Sequence, residues 1–193
     1  MTKQRIFVIT GPTGSGKTTV SHYLWSQYQI PQVITHTTRA PREGEVSGRD
    51  YYFETPASFA TKHYLEHVTY SGNQYGSSRE GLAAAWERSP LISIVLDTAG
   101  AITYARELGE QAVVIYLEVA DQEALIERLT KRGDQPSRIQ KRVASEEYLR
   151  DQALPAGLVG HAHVLVNDEW QATQRQLDQL VAEYGAPNAV SKD

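Results

Sequence analysis

Residues 11–18 read Gly11-Pro12-Thr13-Gly14-Ser15-Gly16-Lys17-Thr18 and follow the apolar run Ile6-Phe7-Val8-Ile9. This is the spacing G-x-x-x-x-G-K-[ST] of a phosphate-binding loop that lies between a strand and a helix. The glycines let successive backbone N–H groups turn towards a phosphate at a helix N-terminus, which favours anions. A glycine-rich turn without a ligand is the alternative, and the strand in front argues against it. We therefore expect this chain to bind a nucleoside triphosphate.

Two side chains of this loop carry the expected chemistry. Lys17 supplies a mobile positive charge for the β- and γ-phosphates, and the Thr18 hydroxyl can bind Mg²⁺. The six histidines have no ligand spacing, so no metal is expected beyond the Mg²⁺ that accompanies ATP. We expect His36 to sit in its loop without chemistry. The predicted ATP-binding residues of this region are Gly11, Pro12, Thr13, Gly14, Ser15, Gly16, Lys17, Thr18 and Thr19.

The composition is that of an ordinary globular protein. The net charge of −4 argues against a general nucleic-acid binder. The absence of cysteine excludes disulfides and thiolate metal sites. No apolar run approaches the roughly 20 residues of a membrane span, and the N-terminus lacks the apolar stretch of a signal peptide. We expect a single cytoplasmic domain over residues 1–193, a monomer or homodimer without nucleic-acid or membrane partners.

Short apolar runs alternate with helical patterns, which predicts an α/β fold with a doubly wound parallel sheet. The runs that start at Leu91 and Ala112 are almost continuously hydrophobic, as in parallel strands covered on both faces. The predicted strands are Ile6–Thr10, Gln32–Thr35, Leu91–Leu96, Ala112–Leu117 and His163–Val166. The predicted helices lie around Lys17–Gln27, Ala101–Leu108, Gln122–Lys131 and Trp170–Tyr184.

The segment from residue 33 to residue 80 breaks this alternation and predicts an inserted lobe. It is polar, rich in tyrosine and interrupted by prolines and glycines. Its runs Tyr51–Phe53 and His67–Tyr70 are typical of short antiparallel strands joined by turns.

Two arginines of this lobe, Arg39 and Arg42, are three positions apart and suit a phosphate dianion that is held in a fixed direction. Tyr51 and Tyr75 can add hydroxyl donors to the same phosphate. A lone arginine is more often a solvated surface charge. The pair, with Pro41 between them and a phosphate loop elsewhere in the chain, favours a binding role.

A longer signature surrounds these arginines. The run Thr35-His36-Thr37-Thr38-Arg39-Ala40-Pro41-Arg42-Glu43-Gly44-Glu45, continued by Gly48-Arg49-Asp50-Tyr51-Tyr52-Phe53, resembles the GMP-binding signature of guanylate kinases. Glu66 followed by Ser71-Gly72-Asn73-Gln74-Tyr75-Gly76-Ser77 resembles it too. Arg128-Leu129, Arg132-Gly133 and Lys141-Arg142 are similar to the lid of that family, and Val166-Asn167-Asp168 to its adenine-side strand end. The resemblance runs in order from Ile6 to Asp168.

The resemblance implies an enzyme that transfers a phosphoryl group from ATP to GMP, with Mg²⁺ as cofactor. It implies a P-loop kinase core with a small inserted mixed-β lobe for the monophosphate and a helical lid. The implied division is core 1–32, 81–131 and 151–185, lobe 33–80 and lid 132–150.

The resemblance also implies roles for individual residues. A carboxylate at Glu66 matches the N1–H and N2–H₂ donors of guanine, and a hydroxyl at Ser77 or Thr35 matches O6. The implied catalytic residues are Lys17, Arg42, Arg132 and Arg142, and Asn167 and Asp168 join the ATP-binding set. The implied substrate-binding residues are Thr35, Arg39, Arg42, Glu45, Tyr51, Glu66, Tyr75, Ser77 and Asp97. Thr18 and Asp97 are the implied Mg²⁺ ligands, directly or through water.

Three features depart from the family pattern. Val95 stands where the family has the first of two aspartates, Asp97 keeps the second, and Ala99 replaces a glutamine. The lid is one residue shorter and contains Pro136. If the missing aspartate anchors guanine, affinity for GMP is reduced or the acceptor differs. Two alternatives therefore stay open: a non-catalytic guanylate-kinase-like interaction module, and a related P-loop kinase with another phosphate-bearing acceptor.

Overall fold

The computed structural model describes residues 3–70, 72–119, 122–131, 133 and 135–185. The strands are β1 (Arg5–Thr10), β2 (His36–Thr37), β3 (Tyr52–Phe53), β4 (Tyr64–Tyr70), β5 (Asn73–Ser78), β6 (Leu91–Val95), β7 (Ala112–Glu118) and β8 (Ala162–Val166). The helices are α1 (Lys17–Tyr28), α2 (Pro56–Phe59), α3 (Arg79–Arg88), α4 (Thr98–Leu108), α5 (Gln122–Lys131), α6 (Pro136–Val143), α7 (Glu146–Asp151) and α8 (Trp170–Tyr184).

The first sheet has the strand order β6-β1-β7-β8, and its pairs are all parallel. Successive residues of β1 face opposite sides of it. Phe7 packs in a cluster with Leu24 of α1 and Leu177 of α8. Val8 packs on the other side, in a cluster with Tyr104 of α4. Helices thus cover both faces of a parallel sheet, which confirms the predicted fold class.

The predicted strand Gln32–Thr35 is wrong. Gln32 forms only an isolated parallel bridge with Ser93, next to a backbone bond from the Val33 N–H to the Ser93 carbonyl. The chain leaves the edge of β6 immediately afterwards, so no ladder develops. The strand begins at His36 in a second sheet. Helix α3 was also not predicted; its first turn is capped by Ser78, which accepts from the Gly81 N–H.

The second sheet has the order β3-β2-β5-β4 and is mixed. Strands β4 and β5 form an antiparallel hairpin, as predicted for the run at His67–Tyr70. The antiparallel expectation for Tyr51–Phe53 is wrong, because β3 pairs with β2 in parallel, with His36 opposite Tyr52. The long connection between β2 and β3 lets the chain return in the same direction.

Residues opposite each other in a sheet point to the same face, which divides the second sheet into two surfaces. One surface, called the front face here, carries the paired Glu66 and Ser77 and the paired Thr37 and Tyr75. The other, the back face, carries His36 with Tyr52 and Gly76, and Tyr64 with Ser78. A register shift between Tyr64 and Glu66 explains how these near neighbours reach opposite faces.

The sequence placed His36 in a loop, but in the structure it is buried in β2. Its ring stacks on Tyr52 at a centroid distance of 4.9 Å, and the edge of Tyr64 approaches it at 5.8 Å.

None of the helices in the described part of the chain is long and apolar enough to cross a membrane.

Candidate active site

The phosphate loop has the backbone that its glycines predict. Gly11 and Gly16 have φ of 134° and 98°, a region that disfavours residues with a Cβ atom. A Cβ at Gly11 would lie 2.4 Å from the Leu117 carbonyl oxygen, and one at Gly16 would lie 2.4 Å from Asn167 Nδ2. Close packing on both sides therefore fixes the curve of the loop.

Lys17 lies over this loop. Its Nζ donates to the carbonyl oxygens of Gly11 at 2.7 Å and Pro12 at 2.9 Å. These bonds hold the ammonium beside the concave side of the loop, in a cleft that Thr18 and Thr19 also line. An ammonium group held there is already close to a phosphate that binds in the loop.

Asn167 supports the loop from behind. Its Nδ2 donates to the Ser15 carbonyl at 2.7 Å, and its Oδ1 accepts from Thr173 Oγ1 at 2.9 Å. Its own carbonyl accepts from Arg128 Nη2 at 2.8 Å. The side-chain amide thus bonds to protein groups at both ends and acts on the ATP site through the shape of the loop. The sequence assigned it to adenine, a role that stays a prediction.

A cleft of about 1160 Å³ separates the phosphate loop from the front face of the second sheet. Part of the predicted acceptor set lines it, namely Thr35, Tyr51, Glu66, Tyr75 and Asp97. Arg39, Arg42 and Glu45 are not among its lining residues, and Ser77 is fully buried behind the wall. Asp168 lines the opposite end of the cleft.

Glu66 is a titratable group of this wall whose pKa is raised by its environment. Its Oε1 accepts from the Ser77 hydroxyl at 3.2 Å. Burial, helped by the negative charge of Asp97 and opposed by the Ser77 hydrogen bond, raises the pKa of Glu66 to about 7. Val95 lines the same cleft and contributes no charge. A carboxyl group that is about half ionised at neutral pH therefore faces the cleft.

Arg39 is held by Glu45 rather than by solvent. Its two Nη atoms donate to the two Glu45 carboxylate oxygens at 2.9 and 3.0 Å, a bidentate pair. The guanidinium also lies over the rings of Tyr51 and Phe53, 5.6 and 5.8 Å from their centroids. The hydrogen bond from Arg39 holds the pKa of Glu45 below its ordinary value. Glu45 therefore positions Arg39, although the sequence placed it among the substrate ligands.

Arg42 is exposed, and its backbone N–H donates to Glu45 Oε2 at 2.7 Å. Glu45 thus fixes the turn that carries both arginines. Tyr51 and Tyr75, the other predicted phosphate ligands, meet edge to face at 6.3 Å. The two tyrosines line the cleft, whereas Arg39 and Arg42 are not among its lining residues.

Asp97 has two protein partners. Its Oδ1 accepts from the Gly100 N–H at 2.7 Å and caps α4, and its Oδ2 accepts from Arg150 Nη2 at 3.0 Å. Arg150 Nε also donates to Asp151 Oδ1 at 2.8 Å, and the Thr98 hydroxyl bonds to the same oxygen. Sequence analysis missed Arg150 and Asp151, because neither belongs to a motif and their partners Asp97 and Thr98 lie 53 positions away in the chain.

Oxygen donors suited to Mg²⁺ are present in the cleft, which both Thr18 and Asp97 line. Among the residues that the structure describes, no three His, Cys, Asp or Glu side chains cluster as a metal cage. The residues therefore fit an ion that arrives with a nucleotide. Because Arg150 already bonds to Asp97, contact with that carboxylate through a water molecule fits better than direct binding.

The side chains of the two implied catalytic arginines of the lid lie outside the described residues. Arg132 lies outside the described residues, and Arg142 lies in α6, with its side chain outside them. Arg128, in contrast, lines the cleft and bonds to Asn167. Trp170 and Tyr148 also line the cleft. Sequence analysis missed both, because an aromatic residue at a helix start or in a lid helix carries no motif.

Comparisons with known proteins give the family of this chain. Residues 3–184 match the family model described as guanylate kinase. A guanylate kinase of Deinococcus radiodurans is 34% identical over 192 residues, which cover 97% of this chain and 77% of the relative. One of Protochlamydia amoebophila is 32% identical over 189 residues, covering 94% and 92%. The crystal structure of guanylate kinase from Anaplasma phagocytophilum superposes with a TM-score of 0.66 at 25% identity, covering 95% of this chain and 88% of that one.

Proposed function

The chain belongs to the guanylate kinase family, and we propose that it transfers the terminal phosphoryl group of ATP to GMP, giving ADP and GDP. One structural observation supports the proposal in addition to family membership. A single cleft is lined by the phosphate loop with Lys17 on one side and by Glu66 on the other, and the buried Ser77 hydroxyl bonds to Glu66 from behind. A donor nucleotide and an acceptor nucleotide can therefore meet in it.

The donor side holds ATP mainly through the backbone. Helix α1 begins at Lys17, and the N-terminus of a helix presents backbone N–H groups to a phosphate, which the helix dipole also favours. Lys17 follows the β- and γ-phosphates as charge moves towards the acceptor. Asn167 keeps the loop in its binding shape, and Asp168 lies in the cleft wall on the same side.

The acceptor side holds GMP through side chains. Arg39 and Arg42 bind the phosphate with the hydroxyls of Tyr51 and Tyr75. Glu66 accepts from guanine N1–H and N2–H₂. The hydroxyls of Ser77 and Thr35 donate to guanine O6, an atom that adenine does not have. Glu66 must be ionised for this, so binding of GMP is coupled to loss of its proton near pH 7.

Mg²⁺ would be held by the Thr18 hydroxyl and, through water, by Asp97. When bound, the ion supplies positive charge that offsets the charge of the phosphate oxygens. The protein's own part is to fix Asp97, which the Gly100 N–H and Arg150 do from two sides.

Arg132 and Arg142 complete the proposed arrangement. Phosphoryl transfer needs positioning and charge stabilisation more than covalent chemistry, and lid arginines supply both. The cleft must also exclude water, because ATP would otherwise be hydrolysed. Helices α6 and α7, which belong to the proposed lid, would cover it.

The two alternatives from the sequence can be compared with this site. A non-catalytic interaction module would not need Lys17 held on the loop by two hydrogen bonds. A kinase for another phosphate-bearing acceptor is favoured by Val95, which leaves Glu66 without a companion carboxylate at that position in the cleft wall.

A coupled assay of ATP consumption with GMP, dGMP, AMP, CMP and UMP as acceptors separates these functions. We expect GMP to be used with the highest kcat/KM. No turnover with any acceptor would support the interaction module, and a different preferred acceptor would support the second alternative.

A further inference from the structure

A chain of hydrogen bonds crosses the back face of the second sheet. His36 Nδ1 lies 2.8 Å from Glu54 Oε1, and His36 Nε2 lies 2.8 Å from Ser78 Oγ. Glu54 directly follows β3, His36 is in β2 and Ser78 ends β5. The three side chains, called the relay here, therefore join three adjacent strands.

The groups at the two ends of the relay determine which atoms donate and which accept in its hydrogen bonds. Burial alone would raise the pKa of Glu54, but hydrogen bonds from Ser58 and His36 hold it below its ordinary value. The ionised carboxylate can only accept, so Nδ1 carries the proton in neutral His36. Nε2 then accepts from the Ser78 hydroxyl, and Ser78 Oγ accepts from the Gly81 N–H at 3.0 Å. Each group has a partner of the right kind.

A carboxylate, an imidazole and a serine in this order also occur in hydrolases, where the serine attacks a substrate. Here Ser78 has no exposed surface, and it caps α3 on the side of the sheet away from the cleft. No substrate reaches its oxygen. The relay therefore has no nucleophilic role.

The strands that the relay joins are unusually short. Strands β2 and β3 have two residues each, so few backbone bonds fix their register. Thr35 and Tyr51 directly precede β2 and β3, and Tyr75 and Ser77 lie in β5. All four alternate with back-face residues of these segments and belong to the front side. A slip by one residue would turn these side chains away from the cleft.

We propose that the Glu54–His36–Ser78 relay is a positioning device for the acceptor site, which fixes the register of the GMP-reading strands from behind. The proposal rests on the proposed function, because it takes GMP as the ligand of the front face. His36 and its partners touch no substrate. They act on affinity for GMP through the strands and leave the phosphate loop unaffected.

The test uses isothermal titration of GMP and of a non-hydrolysable ATP analogue with His36→Gln, Glu54→Gln and the double variant. We expect the Kd for GMP to rise about tenfold in each single variant, equivalent to about 1.4 kcal/mol. The Kd for the ATP analogue should stay within about twofold. Because both residues act in one relay, the double variant should lose little more than either single variant.

Two controls separate positioning from general destabilisation. Phe59→Leu loosens the same back face, where Phe59 stacks on Tyr64 at 4.3 Å, without touching the relay. His67→Gln changes an exposed histidine of the same face, whose ring lies 5.8 Å from that of Tyr64 and whose side chain makes no hydrogen bond among the described residues. At a temperature where every variant is folded, both controls should keep the wild-type affinity for GMP. Equal loss of affinity in Phe59→Leu and His36→Gln would overturn the proposal.

Nitrogen NMR of the histidine side chains gives a second readout that does not depend on GMP. The resonances of His36, identified by their loss in His36→Gln, should show the proton on Nδ1 in the wild-type protein. A proton on Nε2 would overturn the relay. Wild-type protein that binds the ATP analogue but not GMP would contradict the proposed function. Wild-type binding of GMP with unchanged affinity in the relay variants would overturn the relay alone.

Discussion

The phosphate loop and the second sheet build binding sites in different ways. The loop presents backbone N–H groups, and its shape is fixed by close packing at Gly11 and Gly16. The second sheet presents side chains from segments far apart in the chain, and each depends on another residue: Arg39 on Glu45, and Glu66 on Ser77. The donor site is thus local and the acceptor site is distributed. Changes in the first should remove catalysis, and changes in the second should alter the choice and affinity of the acceptor.

The largest expected effect is on the donor side. Lys17→Ala removes the cation that follows the transferring phosphate, a loss typically of ~10²–10³ in kcat. Steady-state turnover with ATP and GMP measures it, with circular dichroism to verify the fold. Lys3→Ala, which breaks an exposed ion pair with Glu110, is the control and should leave turnover unchanged. Wild-type turnover in Lys17→Ala would favour the interaction module.

On the acceptor side, Arg42→Lys keeps the charge but loses the forked donor geometry. We expect turnover with GMP to fall at least ~10-fold while ATP affinity is unchanged. Arg49→Lys, in the same loop and paired with Asp50, is the matched control. If Arg42→Lys weakened ATP and GMP equally, the residue would have a structural role, and the distinction between the two sites would fail.

The contrast between the sites also explains what the sequence could predict. Hydrophobic runs predicted the parallel sheet, and a contiguous motif predicted the loop, because both depend on neighbours in the chain. The parallel pairing of β2 with β3 could not be read from runs of two residues. The partners of Asp97 and His36 lie on other elements, so Arg150 and Glu54 had no sequence signal. The buried role of His36 became visible only when three strands were brought together.

Binding of GMP should depend on pH through Glu66. Its pKa of about 7 means that the group is mostly protonated at pH 6 and mostly ionised at pH 8. Affinity for GMP should rise about tenfold between these values, because guanine needs the ionised form. Titration calorimetry of wild-type protein and Glu66→Gln separates this effect from ionisation of the GMP phosphate, which occurs in both. An identical pH dependence in the two proteins would contradict it.

The raised pKa of Glu66 also affects the free energy of unfolding. As the pH rises, its contribution to stability falls, whereas affinity for GMP rises. The folded-state pKa lies above the ordinary value of 4.5, so the folded protein binds more protons between pH 4.5 and pH 7. The contribution of Glu66 to the free energy of unfolding is therefore greatest below pH 4.5 and declines as the pH rises to 7. Replacing Glu66 by Gln should flatten this part of the stability profile measured by urea unfolding.

The smallest effect is expected behind the phosphate loop. Asn167→Ala removes the bond to the Ser15 carbonyl, and a lost hydrogen bond of about 1 kcal/mol corresponds to about fivefold weaker ATP binding. Affinity for GMP should not change. Thr173→Val removes the other partner of Asn167 and keeps the bond to the loop, so its effect should be smaller. Equal weakening of GMP binding in Asn167→Ala would show that the two sites are not separate.

We expect the distributed acceptor site to recognise guanine through Glu66. The most direct test is kcat/KM for GMP and for AMP in wild-type protein and in Glu66→Gln. Adenine presents a bare N1 acceptor where guanine has a donor, and sites built on such bonds can discriminate by up to ~10⁴. We predict that the wild-type protein prefers GMP and that the ratio of GMP to AMP falls in Glu66→Gln. An unchanged ratio would remove Glu66 from the base site and contradict the proposed acceptor.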